Sequence, residues 1–191
     1  MRPARSILIT GASSGIGRAV AVEYAAPGVR LVLVGRDTAR LEQAAERCRD
    51  KGAEVETALV DVRDRQAMHD FIRAADAKAP LDLVLANAGI NTGLPAGALA
   101  EDPEAVRGIL SINLIGALNT VEPIIEPMCA RGRGVIADLL RGHRGPPRRR
   151  LDPRGWAGAG AAPANGRPGT TAALIAGRAP TSAHPGSARD V

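Results

Sequence analysis

Glycines cluster directly after the first apolar run of the chain. Residues 7–10 (ILIT) precede the glycine-rich turn GASSGIG, residues 11–17, which leads into the helical pattern RAVAVEYAA. This order predicts a strand, a tight turn and a helix. The start of a helix offers free N–H groups and a favourable dipole to an anion. The turn is therefore a candidate phosphate-binding site, with a plain strand-ending turn as the alternative.

Each residue type in this turn suits phosphate binding. Gly11 lets the chain leave the strand with backbone angles that other residues avoid. Gly15 allows a pyrophosphate to approach the backbone, and Gly17 allows the helix to pack closely on the strand. Ser13 and Ser14 add hydroxyl donors. The spacing G-x-x-x-G-x-G differs from the more common G-x-G-x-x-G.

Strands and helices alternate through the rest of the pattern. Predicted strands are residues 6–10, 30–34, 55–60, 81–86 and 135–137, and candidate helix N-caps are Asp37 or Thr38, Asp64 and Asp102. Uninterrupted apolar runs suit strands that are buried on both faces, as in a parallel sheet. Pro123 and Pro127 are expected to end or kink the last helix. The alternation predicts an α/β fold with a doubly wound parallel sheet.

Polar residues fall directly after several of these strands. Arg36 follows the second strand, Asp61 the third, and Asn87-Ala88-Gly89 the fourth. Ligands of doubly wound sheets bind beyond the carboxyl ends of the strands, where the strand order reverses. The topology therefore brings these residues and the glycine turn to one edge of the sheet and predicts a nucleotide site there.

In their order and spacing across residues 6 to about 137, these motifs resemble the short-chain dehydrogenase/reductase family. The resemblance implies a Rossmann-type fold and hydride transfer between NAD(P)(H) and a small-molecule alcohol/carbonyl pair. The cofactor-binding residues it implies are Gly11, Ser13, Ser14, Gly15, Ile16, Gly17, Arg36, Asp61, Val62, Asn87, Ala88 and Gly89. It gives Asn113 a part in a water-linked proton relay. Relatives are usually homo-oligomers.

Three of these assignments have alternatives. A basic residue at Arg36 suits a 2′-phosphate, so we expect NADP(H) in preference to NAD(H). Asp37 leaves NAD(H) open, because a carboxylate there can bind a ribose hydroxyl. The resemblance has Asp61 accept from the adenine amino group, but a turn or helix-capping role is the alternative. Asn113 can instead be a core amide that is bonded to backbone.

The family's catalytic Ser, Tyr and Lys are not recognisable. In the family a Tyr acts as general acid/base, a Lys four residues later lowers its pKa, and a Ser holds the substrate oxygen. Here the segment after the fifth strand is Asp138-Leu139-Leu140-Arg141, the single tyrosine is Tyr24, and the lysines are Lys51 and Lys78. The alternative function is therefore a catalytically dead nucleotide-binding remnant.

The chain has two parts of different composition. Residues 1–138, the expected NAD(P)-binding domain, carry 16 Lys/Arg and 18 Asp/Glu, whereas residues 139–191 carry 9 Arg and 2 Asp. Ala, Gly, Pro and Arg make up 36 of those last 53 residues, which predicts a disordered tail and a fold truncated after about five strands. Because GC-rich codons encode these residues, we hypothesise a reading-frame shift near residue 138. A nucleic-acid-binding tail is the less favoured alternative.

Composition also bounds the compartment and the other ligands. Cys48 and Cys129 are far apart, which fits a reducing, cytoplasmic setting. The three histidines share no ligand spacing, so no metal site is predicted. No run of about 18 uninterrupted apolar residues exists, and we expect no membrane span. An incomplete sheet would leave apolar faces uncovered, which predicts poor solubility or marginal stability.

Overall fold

A computed structural model describes residues 4–92, 100–138 and 173–175. The elements are β1 Ser6–Thr10, α1 Gly15–Tyr24, β2 Arg30–Val34, α2 Thr38–Arg49, β3 Glu54–Ala58, α3 Arg65–Lys78, β4 Leu83–Ala86, α4 Pro103–Leu110, a π-helical turn Ser111–Ile115, α5 Gly116–Ala130, β5 Val135–Asp138 and β6 Ala173–Ile175. Over the described residues the sheet order is β3-β2-β1-β4-β5-β6. The first five strands are parallel, as a doubly wound sheet requires.

The central strand β1 explains how the layers form. All five of its residues are buried, and alternate side chains point to opposite faces of a strand. Ile7 and Ile9 pack in one apolar cluster with residues of α1 and α2. Leu8 packs in a second cluster with residues of α3 and α5. Helices therefore cover both faces, and this explains why the apolar run lacks alternation.

Aspartates begin three of the helices, as the sequence predicts. The side chains of Asp37, Asp64 and Asp102 each accept a hydrogen bond from the backbone N–H three residues later, at 3.0, 3.0 and 3.1 Å. Each bond satisfies a donor that has no partner within the helix. These caps fix where α2, α3 and α4 begin. The caps of α2 and α3 come within six residues of the end of the preceding strand.

The last helix differs from the sequence-based expectation. Pro123 and Pro127 were expected to end or kink it, and the ending does not occur, because α5 continues to Ala130. A proline removes one backbone donor from a helix, and here Pro123, Ile124 and Met128 remain buried on the apolar side of the helix. Burial of that side holds the helix together through both prolines.

The stretch from α4 to α5 is also notable for its length and composition. Residues Pro103–Ala130 form 28 helical residues, long and apolar enough to cross a membrane. Its α5 part packs against α3, β4 and β5, and core helices of this kind meet the same criteria. The expectation of no membrane span stays a prediction.

A sixth strand extends the five that the sequence predicts. β6 pairs with β5 in antiparallel fashion, with Leu174 opposite Ala137, and it falls in the segment predicted to be a disordered tail. The rest of that segment, residues 139–172 and 176–191, lies outside the described residues, as does the loop 93–99.

Candidate nucleotide-binding site

A cavity of about 340 Å³ lies at the carboxyl edge of the sheet. It sits where the strand order reverses between β1 and β4, which is the usual ligand position in such sheets. Predicted site residues in its lining are Gly11, Ser13, Ser14, Arg36, Asp61, Val62, Asn87, Ala88 and Gly89. Ends of four strands thus bring together residues that are up to 78 positions apart in sequence.

The glycine turn has the geometry that its sequence predicts. Gly15 begins α1 and has a φ of +54°, a conformation that other residues rarely adopt. A Cβ on Gly17 would lie 2.4 Å from the backbone oxygen of Gly11, so only glycine allows α1 to approach this closely. Gly15, Ile16 and Gly17 form the start of α1 and are not part of the cavity lining.

The first turn of α1 leaves its backbone donors available. Ser14 is the N-cap residue, but its side chain makes no capping hydrogen bond, and the first turn holds no acidic residue. The adjoining N–H groups therefore face no carboxylate of their own helix. An anion is favoured at such a helix start.

Thr10 and Asn87 lock the ends of β1 and β4 together beneath the cavity. The Thr10 Oγ1 accepts hydrogen bonds from the backbone N–H groups of Asn87 and Ala88, both at 3.1 Å. The Asn87 Nδ2 donates to the backbone oxygens of Thr10 at 3.0 Å and Gly11 at 3.3 Å. The Asn87 Oδ1 is buried without a hydrogen-bond partner in the part of the chain that the structure describes, so it retains the capacity to accept one bond.

Arg36 and Asp37 differ in how their charges are used. The Asp37 Oδ1 caps α2, and its Oδ2 lies 3.3 Å from the Nε of Arg40. The Arg36 side chain lines the cavity and makes no hydrogen bond or ion pair with another described residue. Arg40 also lines the cavity. Sequence analysis missed it, although its place one helical turn after the Asp37 cap is a usable signal.

Asp61 is held by its neighbour Arg63. The Arg63 Nε lies 3.1 Å from Oδ1 and 3.0 Å from Oδ2 of Asp61, and its Nη2 lies 2.5 Å from Oδ2. Hydrogen bonding to Arg63, above all, lowers the pKa of Asp61 to about 2, and the charge of Arg36 acts in the same direction. Asp61 is therefore a carboxylate at neutral pH. Asp61 Oδ1 also accepts from the Arg63 backbone N–H at 3.0 Å, which is the contact that the turn interpretation describes. The adenine-binding role stays a prediction.

The loop that carries Asp61 is anchored from below by α5. The buried Asn119 donates from Nδ2 to the backbone oxygens of Val62 at 2.8 Å and Arg63 at 3.3 Å. A Cβ on Gly116 would lie 2.6 Å from Val62 Cγ2. Sequence analysis missed this role of Asn119, since an amide on a helix face does not reveal which loop it meets.

Asn113 is bonded to backbone, as its alternative interpretation describes. Its Nδ2 donates to the backbone oxygen of Ile90 at 2.9 Å, and its Oδ1 accepts from the Ile90 N–H at 2.8 Å. Ile90 itself lines the cavity, whereas Asn113 does not. The π-helical turn thus fixes the segment after β4. The relay role of Asn113 stays a prediction.

Comparisons with known proteins decide the family. The short chain dehydrogenase family model matches residues 5–139. The chain belongs to this family. An uncharacterised oxidoreductase of Myxococcus xanthus is 40% identical over 144 residues, which are 74% of this chain and 56% of that protein.

Solved structures agree with this assignment. Levodione reductase matches with a TM-score of 0.62 at 32% identity, over 69% of this chain and 52% of that one. Xylitol dehydrogenase, crystallised with NAD⁺, matches with a TM-score of 0.62 at 25% identity, over 68% of this chain and 50% of that one. The chain spans about half the length of the curated relatives it matches.

The tyrosine and lysines of the chain lie away from the cavity. Tyr24 ends α1, Lys51 donates to the backbone oxygen of Val22 at 2.6 Å, and Lys78 contacts Glu56 at 3.0 Å. The helices run back from the carboxyl edge, so Tyr24 and Lys78, at helix C-termini, lie at the opposite edge of the sheet. Asp138, at the end of β5, is half-buried, and desolvation raises its pKa.

Metal-ligating side chains do not gather in the described part of the chain. Within residues 4–92, 100–138 and 173–175, no group of three or more His, Cys, Asp or Glu is placed to hold an ion. The prediction that the protein has no metal site stays a prediction.

Proposed function

We propose that this short-chain dehydrogenase binds NADP(H) in the cavity at the carboxyl edge of its sheet. The observation that carries the proposal is the convergence of the glycine turn, Arg36, Asp61 and Asn87 on one cavity of about 340 Å³. NADP(H), when bound, supplies or accepts the hydride in oxidation or reduction of an alcohol/carbonyl pair. The chain's own residues bind and orient the nucleotide.

The residues present fit such a nucleotide. The uncapped start of α1 suits a pyrophosphate, because its N–H groups are donors and its turn holds no carboxylate. The ionised Asp61 accepts from an exocyclic amino group. The buried Asn87 Oδ1, which has no partner among the described residues, can accept from a hydroxyl. Each of these groups matches a different part of the ligand.

The charges around Arg36 support NADP(H) over NAD(H). Asp37 already serves as a cap for α2 and as an ion-pair partner of Arg40, so it is poorly suited to a ribose diol. The Arg36 guanidinium has no such partner among the described residues, and guanidinium groups bind phosphate through forked hydrogen bonds. The NAD⁺-bound xylitol dehydrogenase among the neighbours makes NAD(H) the competing ligand.

Titration of the full-length chain with NADPH and NADH tests this preference. We expect Arg36→Gln to weaken NADPH binding by about tenfold or more, because a hydrogen bond to a charged group is lost, and to leave NADH nearly unchanged. Arg47→Gln, at an exposed position near the other end of α2, is the matched control. Tighter binding of NADH by the wild type, or an unchanged ratio in the variant, contradicts the proposal.

A second candidate is nucleotide binding without turnover. The positions of the tyrosine and the lysines favour this second candidate. Tyr24 and Lys78 lie at the opposite edge of the sheet, and Lys51 donates to the backbone oxygen of Val22. Oxidation of NADPH over a broad panel of carbonyl compounds separates the two candidates. Turnover that Gly15→Asp abolishes supports an enzyme, whereas nucleotide binding with no turnover supports a remnant.

The setting of the protein is proposed on the same basis. The two widely separated cysteines support a cytoplasmic location. Membership of the family supports a small-molecule substrate. We propose no membrane or nucleic-acid partner. The family's usual homo-oligomer remains an open expectation for this chain.

A further inference from the structure

We propose that Arg63 is a positioning residue that turns one edge of the Asp61 carboxylate toward the cavity and so strengthens the preference for a 6-amino purine that the family resemblance assigns to Asp61. The inference rests on the proposed nucleotide site. Asp61 lines the cavity and Arg63 does not. Arg63 therefore acts on a bound nucleotide through Asp61.

Hydrogen bonds from Arg63 occupy one side of the Asp61 carboxylate. The Nε of Arg63 bonds both oxygens, Nη2 bonds Oδ2, and the Arg63 backbone N–H bonds Oδ1. A carboxylate offers about four lone-pair sites, and those facing Arg63 are taken. The sites on the other edge remain, and Asp61 is one of the residues that line the cavity.

The carboxylate edge that Arg63 leaves open is a pure acceptor. The hydrogen bonds from Arg63 favour the ionised carboxylate, with Arg36 as the other cation acting on Asp61. An ionised carboxylate has no proton to donate. It binds the 6-amino donor of adenine and repels the 6-oxo acceptor of hypoxanthine. Without the Arg63 side chain, only the backbone N–H bond to Oδ1 remains. The terminal torsion of an aspartate has a broad minimum, so Oδ2 is then held less firmly.

The loop backbone does not depend on the Arg63 side chain. Asn119 holds the backbone oxygens of Val62 and Arg63, and the Asp64 N–H donates to the Asp61 backbone oxygen at 2.9 Å. Val62 is buried against α5. A substitution at Arg63 therefore leaves the loop in place and changes the freedom of the carboxylate.

The test compares NADPH with its hypoxanthine analogue on the full-length chain. We expect the wild type to prefer NADPH by about tenfold or more, as expected when a hydrogen bond to a charged group is gained or lost. In Arg63→Met the preference falls to within about threefold, mostly through weaker NADPH binding. Arg63→Lys, which keeps the charge but not the fork, is expected to be intermediate.

Arg65→Met is the matched control. Arg65 is an exposed arginine two residues further on that pairs with Glu122 and does not line the cavity, so the variant should keep the wild-type ratio. A wild-type ratio in Arg63→Met, or equal weakening of both nucleotides, overturns the inference while leaving the proposed function intact. Failure of the wild type to bind either nucleotide overturns both.

Discussion

The buried hydroxyl of Thr10 joins the ends of β1 and β4 beneath the cavity. Its Oγ1 accepts from two backbone N–H groups of the β4 end, and it is 1% exposed. Thr10→Val has a similar shape but leaves both donors without an acceptor. We expect the free energy of unfolding to fall by about 2–3 kcal/mol, the loss expected for unsatisfied buried donors.

Urea unfolding measures this loss, and Thr10→Ser is the control. Serine restores the hydroxyl, so it should recover most of the free energy of unfolding. A valine variant as stable as the wild type would show that water or a backbone shift satisfies the two N–H groups.

Asp61 makes stability depend on pH in a defined direction. Its pKa is about 2 in the folded chain, below the ordinary value of 3.8. A lowered pKa adds stability that is complete above the unfolded value and disappears as pH falls through the folded value. The stability gap between wild type and Asp61→Asn should therefore be constant from pH 7 to about 5 and shrink between about pH 4 and 2.

Urea titrations at pH 7, 5, 4 and 3 measure that gap. Protonation of other carboxyl groups is common to both proteins and cancels in the difference. A gap that keeps its neutral-pH size at pH 3 would contradict the assigned role of the Asp61–Arg63 pair.

At the scale of elements, Asn113 ties the π-helical turn to the segment after β4. Asn113→Ala removes both hydrogen bonds to the Ile90 backbone, and we expect a loss of about 1–3 kcal/mol in the free energy of unfolding. Amide exchange at Ile90 should accelerate, because its N–H loses its acceptor. Asn119→Ala is the control, since it releases the Val62 loop instead. Unchanged protection of Ile90 in Asn113→Ala would count against this clamp.

The elements that depend on local sequence were the predictable ones. β1 and β2 have the predicted bounds, because uninterrupted apolar runs are bounded by turns, and the Asp caps have short-range geometry. β4 begins at Leu83 and not at residue 81. Just before it, Asp82 Oδ2 accepts from the backbone N–H groups of Arg5 and Ser6, at 2.9 and 3.2 Å.

Contacts between distant elements limited prediction of the site. Residues that follow strands could be assigned to one edge, since a parallel sheet aligns its carboxyl ends. Ile90 was missed in the lining because its inclusion depends on tertiary geometry, whereas Arg40 was missed although its place after the Asp37 cap is a local signal. The partnering of Asn119 with Val62, 57 positions away, leaves no periodic signal in the sequence.

At the scale of the whole molecule, the change in composition after residue 138 calls for an explanation. The family model matches residues 5–139, and the change to Ala, Gly, Pro and Arg begins at the end of that match. We therefore expect another reading frame of the gene downstream of codon 138 to encode a Ser followed by Tyr-x-x-x-Lys. Sequencing the gene tests this. Closed or patternless alternative frames would mean that the segment is genuine.

The central claim is that the glycine turn at the carboxyl edge binds NADP(H). The most direct measurement is the thermal shift of the full-length chain with NADPH, compared with Gly15→Asp and Gly28→Asp. Both glycines have positive φ, +54° and +77°, but a Cβ on Gly28 meets nothing within 4 Å, so Gly28→Asp reports backbone strain alone. We predict that NADPH raises the melting temperature of the wild type and of Gly28→Asp, as a ligand that binds only the folded state must, and not that of Gly15→Asp. An unchanged melting temperature of the wild type at saturating NADPH, or an equal rise in Gly15→Asp, would contradict the claim.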